Sequence, residues 1–118
     1  MGHKARLRPR VRRVLENSAN ELWLSPVSVW ELLILVEKGR LVLNVDVGEW
    51  IGRALEAAPV KEAPLTTEVV LATREIRLPH RDPADAFLAA TAKVFGLTLV
   101  TSDARLIGVE GLPVLPNR

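Results

Sequence analysis

Three acidic residues of this chain are placed where they could do chemistry together. Glu31 and Asp103 each follow a predicted strand by a few residues, and Asp85 opens a predicted buried helix. In a parallel sheet covered by helices, all three could face the same edge. Clustered carboxylates repel one another, which raises their pKa values unless a cation is present. Such hard oxygen ligands suit Mg²⁺ or Mn²⁺, and the chemistry implied is metal-assisted phosphodiester hydrolysis.

Each of these acids also has a structural interpretation, which the sequence leaves open. Ser28 and Glu31 match a helix capping box, and Asp85 is a favourable acid in a first helical turn. Asp103 could cap a turn over residues 104–106. Glu31 fits a purely structural role least well, because its apolar neighbours are expected to bury the helix, and a buried carboxylate is costly unless it is paired or liganded.

The segment that carries Asp85 and Asp103 has strong local signals. Asp82 is a natural N-cap, Pro83 fits the first helical position, and Gly96 supplies a C-terminal stop. The helix between them is apolar nearly all round, which predicts that it is buried between layers. The continuous apolar run 97–100 then predicts a parallel strand covered on both faces. Thr101 and Asp103 would therefore lie at the carboxyl end of a strand, where open α/β sheets bind ligands.

Helices and strands alternate along the rest of the chain. Helices are predicted at 9–17, 27–38, 46–58 and 66–76, and strands at 21–24, 60–65 and 112–115. In the helix at 27–38, Trp30, Leu32 and Leu33 are expected to be buried. The alternation predicts an α/β fold in which a parallel sheet has helices on both faces.

Composition places the chain among ordinary globular domains. Its 118 residues are 48% apolar and 25% charged, which predicts a single domain over residues 1–118. The absence of cysteine excludes disulfides and thiolate metal sites. No stretch reaches the length of a membrane span, and the N-terminus lacks the apolar core of a signal peptide. A cytoplasmic protein without a membrane partner is therefore expected.

Two segments of the chain resemble the PIN domain, in particular the VapC-type toxin ribonucleases of toxin–antitoxin pairs. They are LWLSPVSVWEL and HRDPADAFLAATAKVFGLTLVTSD. The resemblance implies a doubly wound, three-layer α/β/α fold and a quartet of acids that binds Mg²⁺ or Mn²⁺ to cut RNA. Glu31 matches the second acid of that quartet, Asp85 the third and Asp103 the fourth, as both catalytic and metal-binding residues.

Several other residues are expected around these acids. By the same resemblance, Asp82 and Thr101 support the site, and Ser28 is expected to join them. RNA phosphates could be held by basic residues before this segment: Arg77, Arg81 and His80, with Arg74 nearby. His80 could also bind a metal. The alternative is that these side chains are simply exposed and solvated. The basic residues at the start of the chain could also contact phosphates or form a solvated helix face. They are His3, Lys4, Arg6, Arg8, Arg10, Arg12 and Arg13.

The chain departs from the family at its beginning. The family starts with a strand that ends in an aspartate, the first metal ligand, whereas this chain starts with MGHKARLRPR and has no aspartate before Asp46. The missing strand is the central one, flanked by the strands predicted at 21–24 and 97–100. A chain truncated at its N-terminus is therefore expected, through a misassigned start or deliberate shortening. Such a chain could close the gap between its strands, borrow a strand from another chain, or fold poorly.

Two functions remain open from the sequence. The first is a metal-dependent endoribonuclease, the toxin of a toxin–antitoxin pair. The second is a catalytically impaired PIN-like module that binds an antitoxin or itself without cutting RNA. The expected partners are an RNA substrate, a cognate antitoxin and a second copy in a homodimer. Trp30 and Trp50 lie in apolar helical stripes and are expected to be core or interface anchors.

Overall fold

The elements follow the predicted order in the computed structural model, which describes residues 7–57, 59–79 and 82–118. The helices are α1 Pro9–Glu16, α2 Pro26–Glu37, α3 Val47–Ala57, α4 Thr67–Ala72 and α5 Pro83–Phe95. The strands are β1 Leu22–Leu24, β2 Val60–Glu62, β3 Leu99–Thr101 and β4 Val114–Pro116. Short 3₁₀ turns occupy Thr73–Glu75 and Ala104–Leu106. The predicted alternation of helices and strands is confirmed, and most strands are shorter than expected.

The four strands form two separate parallel pairs. β1 pairs with β2, with Leu22 opposite Val60, and β3 pairs with β4, with Leu99 opposite Val114. The parallel pairing is as predicted, but no described strand joins β1 to β3, so the sheet is split into two halves. This is the arrangement expected if two strands lack a shared neighbour.

Helix α5 is the centre of the packing. Asp82 Oδ1 accepts hydrogen bonds from the N–H groups of Ala84 at 3.0 Å and Asp85 at 3.4 Å, and Gly96 ends the helix with φ of 66°. Six of its residues are buried: Ala84, Asp85, Ala89, Ala90, Thr91 and Ala92. The prediction of a capped, buried helix is confirmed because both its ends and its apolar faces are specified locally.

Two contacts fix the half sheets to this helix. Ala89 and Ala92 pack with Leu106 and Leu112 in a buried cluster that lies against the second strand pair. On the other side, the ring of Trp23 in β1 stacks on Phe95, with ring centroids 5.7 Å apart. Each pair of strands is therefore anchored to α5 independently of the other.

Helix α2 differs from the sequence-based prediction. Trp30 is 53% exposed and Leu33 38%, so the expected burial of this helix is wrong; Val27 is its one buried residue. The N-cap is Ser25, whose hydroxyl accepts from the N–H of Val27 at 3.0 Å, rather than Ser28. Pro26 at the first helical position starts the helix one turn before the apparent capping box. An apolar helix is buried only where neighbouring elements reach it, and the described elements cover α2 incompletely.

Strand β3 also differs in its burial. Val100 is 39% exposed, so the interpretation of 97–100 as covered on both faces is wrong at this residue. Val100 borders a cavity between the two half sheets, where a further layer of side chains would be needed to cover it. No helix in the described part of the chain is long and apolar enough to cross a membrane.

Candidate active site

Asp85 and Asp103 are held by the local structure around α5 and β3. Asp85 lies in the first turn of α5 and is 7% exposed. Asp103 lies two residues after the end of β3, where its Oδ1 accepts the N–H of Arg105 at 2.9 Å and so caps the turn Ala104–Leu106. The backbone N–H of Asp103 donates to Thr101 Oγ1 at 3.1 Å. The predicted capping role of Asp103 is confirmed, and Thr101 fixes the backbone that carries this carboxylate.

A guanidinium group lies between these two acids. Arg105 Nη2 is 2.8 Å from Asp103 Oδ2 and 3.9 Å from Asp85 Oδ2. The pKa of Arg105 is raised, chiefly by its hydrogen bond to Asp103, with further contributions from the charges of Asp103, Asp85 and Asp82. The carboxylates of Asp85 and Asp103 therefore converge on one position that already holds a cation.

Glu31, on helix α2, is coupled by charge to Asp85 and to Asp82. Its pKa is raised, first by partial burial, which disfavours the charged form, and then by the negative charges of Asp85 and Asp82. Glu31 therefore lies close enough to Asp85 for the charge of Asp85 to act on it. Among the residues that the structure describes, however, no three acidic or histidine side chains lie close enough to form a metal-binding group.

The predicted supporting residues have different placements. Asp82 caps α5 and its charge acts on both Glu31 and Arg105. Ser28 lies in the first part of α2, half-buried, and lines the cavity between the half sheets. Arg77 is exposed, and Arg74 Nε donates to the carbonyl of Leu71 at 3.1 Å, so neither position establishes an RNA contact.

Some predicted residues lie outside the described part of the chain. These are His80 and Arg81 at the loop before α5, and His3, Lys4 and Arg6 at the N-terminus. Of the remaining N-terminal cations, Arg8, Arg10, Arg12 and Arg13 are all exposed on or beside α1. Their exposure suits both a solvated face and a phosphate contact.

Arg105 is the residue that sequence reasoning missed. Its signal is weak: a basic residue two positions after an acid that caps a turn. Only the three-dimensional placement brings it to Asp85, which is twenty positions earlier in the chain. Its side chain is 55% exposed, and three hydrogen bonds from its guanidinium group hold it against Asp103.

Comparison with known families shows the family of this chain. The sequence model of the PIN domain matches residues 4–112. The chain belongs to the PIN domain family. It is also 36% identical over 91 residues to Ribonuclease VapC22 of Mycobacterium tuberculosis (strain ATCC 25618 / H37Rv), a match that covers 75% of this chain and 67% of that relative. The resemblance to VapC-type PIN domains and the PIN-like α/β fold are thereby confirmed.

Proposed function

We propose that this chain is a metal-dependent endoribonuclease, the toxin of a toxin–antitoxin pair, which hydrolyses RNA phosphodiesters. The observation that carries the proposal is the convergence of Asp85 and Asp103 on one cation position, occupied by Arg105 Nη2 at 3.9 and 2.8 Å. Membership of the PIN family and similarity to a protein named as a ribonuclease support the same reaction. RNA would be the substrate and a cognate antitoxin the protein partner.

The carboxylate groups at the site are suitable ligands for a hard divalent cation. Carboxylate oxygens are the ligands that Mg²⁺ and Mn²⁺ prefer, and Asp85 and Asp103 already approach one positive charge. Glu31 would complete the set from α2, where the like charge of Asp85 already acts on it and a cation would relieve the repulsion. A bound metal ion would lower the pKa of a coordinated water and neutralise negative charge on the phosphodiester.

The residues of the chain have distinct roles in this proposal. Asp82 keeps the first turn of α5, and with it Asp85, at the edge of the site through its capping hydrogen bonds. Thr101 fixes the backbone of Asp103. Arg105, once displaced from the acids, is placed to contact a phosphate oxygen of RNA, because guanidinium groups bind phosphates in two-pronged geometry.

A specific observation favours a second candidate function. Since the described acids do not form a group of three around one point, the chain could be a PIN-like module that binds an antitoxin or its own copy without cutting RNA. Misplaced ligands commonly cost orders of magnitude in rate. The exposed indole groups of Trp30 and Trp50 supply an apolar surface for such a partner.

Cleavage of a single-stranded RNA separates the two functions. RNA is incubated with the wild-type protein in the presence of Mn²⁺ or of EDTA, and with the Asp85→Asn variant in the presence of Mn²⁺. The matched control is Asp46→Asn, because the carboxylate of Asp46 accepts the N–H of Glu49 and caps α3. The nuclease proposal expects cleavage that requires Mn²⁺ and Asp85 but not Asp46. Mn²⁺ binding without cleavage would contradict the nuclease proposal and favour the binding module, and equal cleavage by Asp85→Asn would refute the assignment of the site.

A further inference from the structure

Four arginine residues give helix α1 and its start a strong positive charge. Arg8, Arg10, Arg12 and Arg13 are all exposed, and the first turn of the helix holds no acidic residue. Among the residues that the structure describes, none of the ion pairs includes any of these four arginines. Their charge therefore does not hold the fold together, and it faces solvent, where an anionic ligand can meet it.

Two of these arginines lie on the same side of the helix. Arg8 and Arg12 are four residues apart, and the N–H of Arg12 donates to the carbonyl oxygen of Arg8 at 2.9 Å. This spacing places their side chains one turn apart, about 6 Å along the helix axis. Arg10 lies roughly half a turn around the helix from Arg8 and borders the cavity between the half sheets. Like charges four residues apart destabilise a helix, so the pair Arg8 and Arg12 is not explained by the stability of α1.

Hydrogen bonds fix the start of α1 beside the acids of the candidate site. The N–H of Arg8 donates to Asn117 Oδ1 at 2.9 Å, and Asn117 directly follows β4. The side-chain amide of Asn117 donates in turn to Ser102 Oγ at 3.2 Å, and Ser102 directly precedes Asp103. The arginine pair on α1 therefore begins at the carboxyl edge of the strands, next to the segment that carries Asp103.

The acids at this edge repel an RNA strand by themselves. Glu31 and Arg105 both feel the charges of Asp82 and Asp85, and Arg105 also pairs with Asp103. When ionised, these acids carry four negative charges against the one positive charge of Arg105. Because RNA is a polyanion, the attraction that holds it has to come largely from cations beside the acids. Helix α1 supplies such cations at the same edge.

The other side chains of α1 favour an anion in water over a lipid surface. Val11 is fully buried, and Val14 and Leu15 are half-buried. A helix that binds in the plane of a membrane needs its apolar face open to lipid, whereas α1 packs this face against the protein. Its exposed guanidinium groups suit phosphate oxygens, which they bind in two-pronged geometry.

We propose that Arg8 and Arg12 bind phosphates of the RNA strand on one side of the bond to be cut, so that α1 lays the substrate across the edge that holds Asp103. The proposal rests on the proposed function, since it takes RNA as the ligand. Both arginines are positioning residues, because they contact phosphates away from the reacting atoms. Such remote contacts help only a substrate long enough to reach them, so the preferred substrate is a single strand that extends from the acids onto α1.

The first test is the salt dependence of RNA binding. A fluorescein-labelled, mixed-sequence single strand is titrated with the protein in EDTA at several KCl concentrations. Each phosphate contact contributes about 0.7 to the slope of log Kd against log salt for a single strand, so Arg8→Gln/Arg12→Gln should lower the slope by about 1.4. Arg8→Lys/Arg12→Lys keeps both charges and should keep the slope. The matched control, Lys38→Gln/Arg40→Gln, removes two exposed cations at the end of α2 and should not change it.

The second test compares a long and a short substrate in the presence of Mn²⁺. For the long single strand, kcat/KM should fall by roughly fivefold or more in Arg8→Gln/Arg12→Gln, the size of two exposed ion pairs. For a mixture of RNA dinucleotides, which cannot span from the acids to α1, the same variant should match the wild type. This difference between substrates distinguishes positioning of the strand from a general disturbance of the acids.

Several results would overturn the proposal. One is a salt slope in Arg8→Gln/Arg12→Gln equal to that of Lys38→Gln/Arg40→Gln. Another is an equal loss of slope in the lysine variant, which would mean that charge is not the cause. An equal loss of cleavage on the dinucleotides would mean that the substitutions disturb the acids. Competition by polyglutamate as strong as that by unlabelled RNA would show a surface for acidic proteins instead.

These results are separable from the fate of the proposed nuclease. If the wild type cleaved neither substrate but the salt slope still fell in Arg8→Gln/Arg12→Gln, the nuclease proposal would fail and the binding of RNA by α1 would stand. If cleavage required Mn²⁺ and Asp85 but the salt slope were unchanged, the nuclease would stand and the role of α1 would be refuted.

Discussion

Arg105 Nη2 lies 3.9 Å from Oδ2 of Asp85, a residue of the first turn of α5. The same nitrogen lies 2.8 Å from Oδ2 of Asp103, beyond the end of β3. A permanent cation thus joins the two acids that are proposed to bind a divalent metal. Because one position cannot hold both cations, the guanidinium and the metal ion are expected to compete.

Removing this competitor should strengthen metal binding. Arg105→Ala is expected to lower the Kd for Mn²⁺ by roughly two- to fivefold, the size of an exposed ion pair. Isothermal titration of Mn²⁺ into both proteins measures the change. Arg53→Ala, which removes another exposed arginine, one paired with Glu49 on α3, is the control and should have no effect. Weaker Mn²⁺ binding by Arg105→Ala would show that Arg105 helps to build the site.

Glu31 should make stability depend on pH in the absence of metal. Its folded pKa lies above the ordinary value of 4.5 because of burial and the charges of Asp85 and Asp82. The folded state therefore binds the proton more tightly than the unfolded state, and stability falls as pH rises from 4.5 through the folded pKa. Glu31→Gln, which cannot ionise, is expected to be more stable than the wild type at pH 7 but not at about pH 4.

Urea unfolding at both pH values, with EDTA present, tests this dependence. Glu37→Gln is the control, because Glu37 lies on the same helix but is exposed. If Glu31→Gln gave the same difference from the wild type at both pH values, the electrostatic coupling of Glu31 to the other acids would be wrong.

Asp82 should contribute to stability through capping. Asp82→Ala removes the acceptor for the N–H groups of Ala84 and Asp85, and is expected to cost about 1 kcal/mol of the free energy of unfolding. Asp82→Asn keeps the acceptor and should lose much less. Chemical denaturation of the three proteins measures both values. An equal loss in the two variants would indicate that the charge of Asp82, rather than its cap, stabilises α5.

The exposed face of α2 is the surface on which the homodimer expected from the sequence can be tested. Trp30 is 53% exposed, a large apolar surface for a single side chain. Trp30→Ala is expected to weaken self-association by roughly tenfold or more, as for an interface hot spot. Light scattering over a concentration series measures this. Leu71→Ala on α4 is the control, since Leu71 is 51% exposed on another helix. A wild-type protein that stays monomeric at high concentration would contradict the dimer.

The sequence predicts the parts of the fold whose signals are local. Helix α5 has its cap at Asp82, its stop at Gly96 and its apolar faces within one segment, so both its bounds and its burial are confirmed. The burial of α2 is not predictable in this way, because exposure of Trp30 depends on which other elements reach that helix. Pro26 also outweighs the pattern Ser28–Glu31 in setting the helix start.

The candidate site shows the same division. Residue type and placement after a strand single out Glu31, Asp85 and Asp103 as candidates; in the structure the charge of Asp85 acts on Glu31, and Asp85 and Asp103 share Arg105. The role of Arg105 is not predictable from its position, because its contact with Asp85 depends on how the turn after β3 packs on α5. The separation of the strands into two pairs was expected from a missing neighbour, but the cleft that it creates is visible only in three dimensions.

Mn²⁺ binding, measured by electron paramagnetic resonance, tests most directly whether Asp85 and Asp103 form one cation site. The wild type is compared with Asp85→Asn and Asp103→Asn, with Asp46→Asn as the control for loss of a single carboxylate. We predict that the wild type and Asp46→Asn bind Mn²⁺ alike and that each of the other two variants loses most of the bound ion. Unchanged Mn²⁺ binding by Asp85→Asn would contradict the shared site.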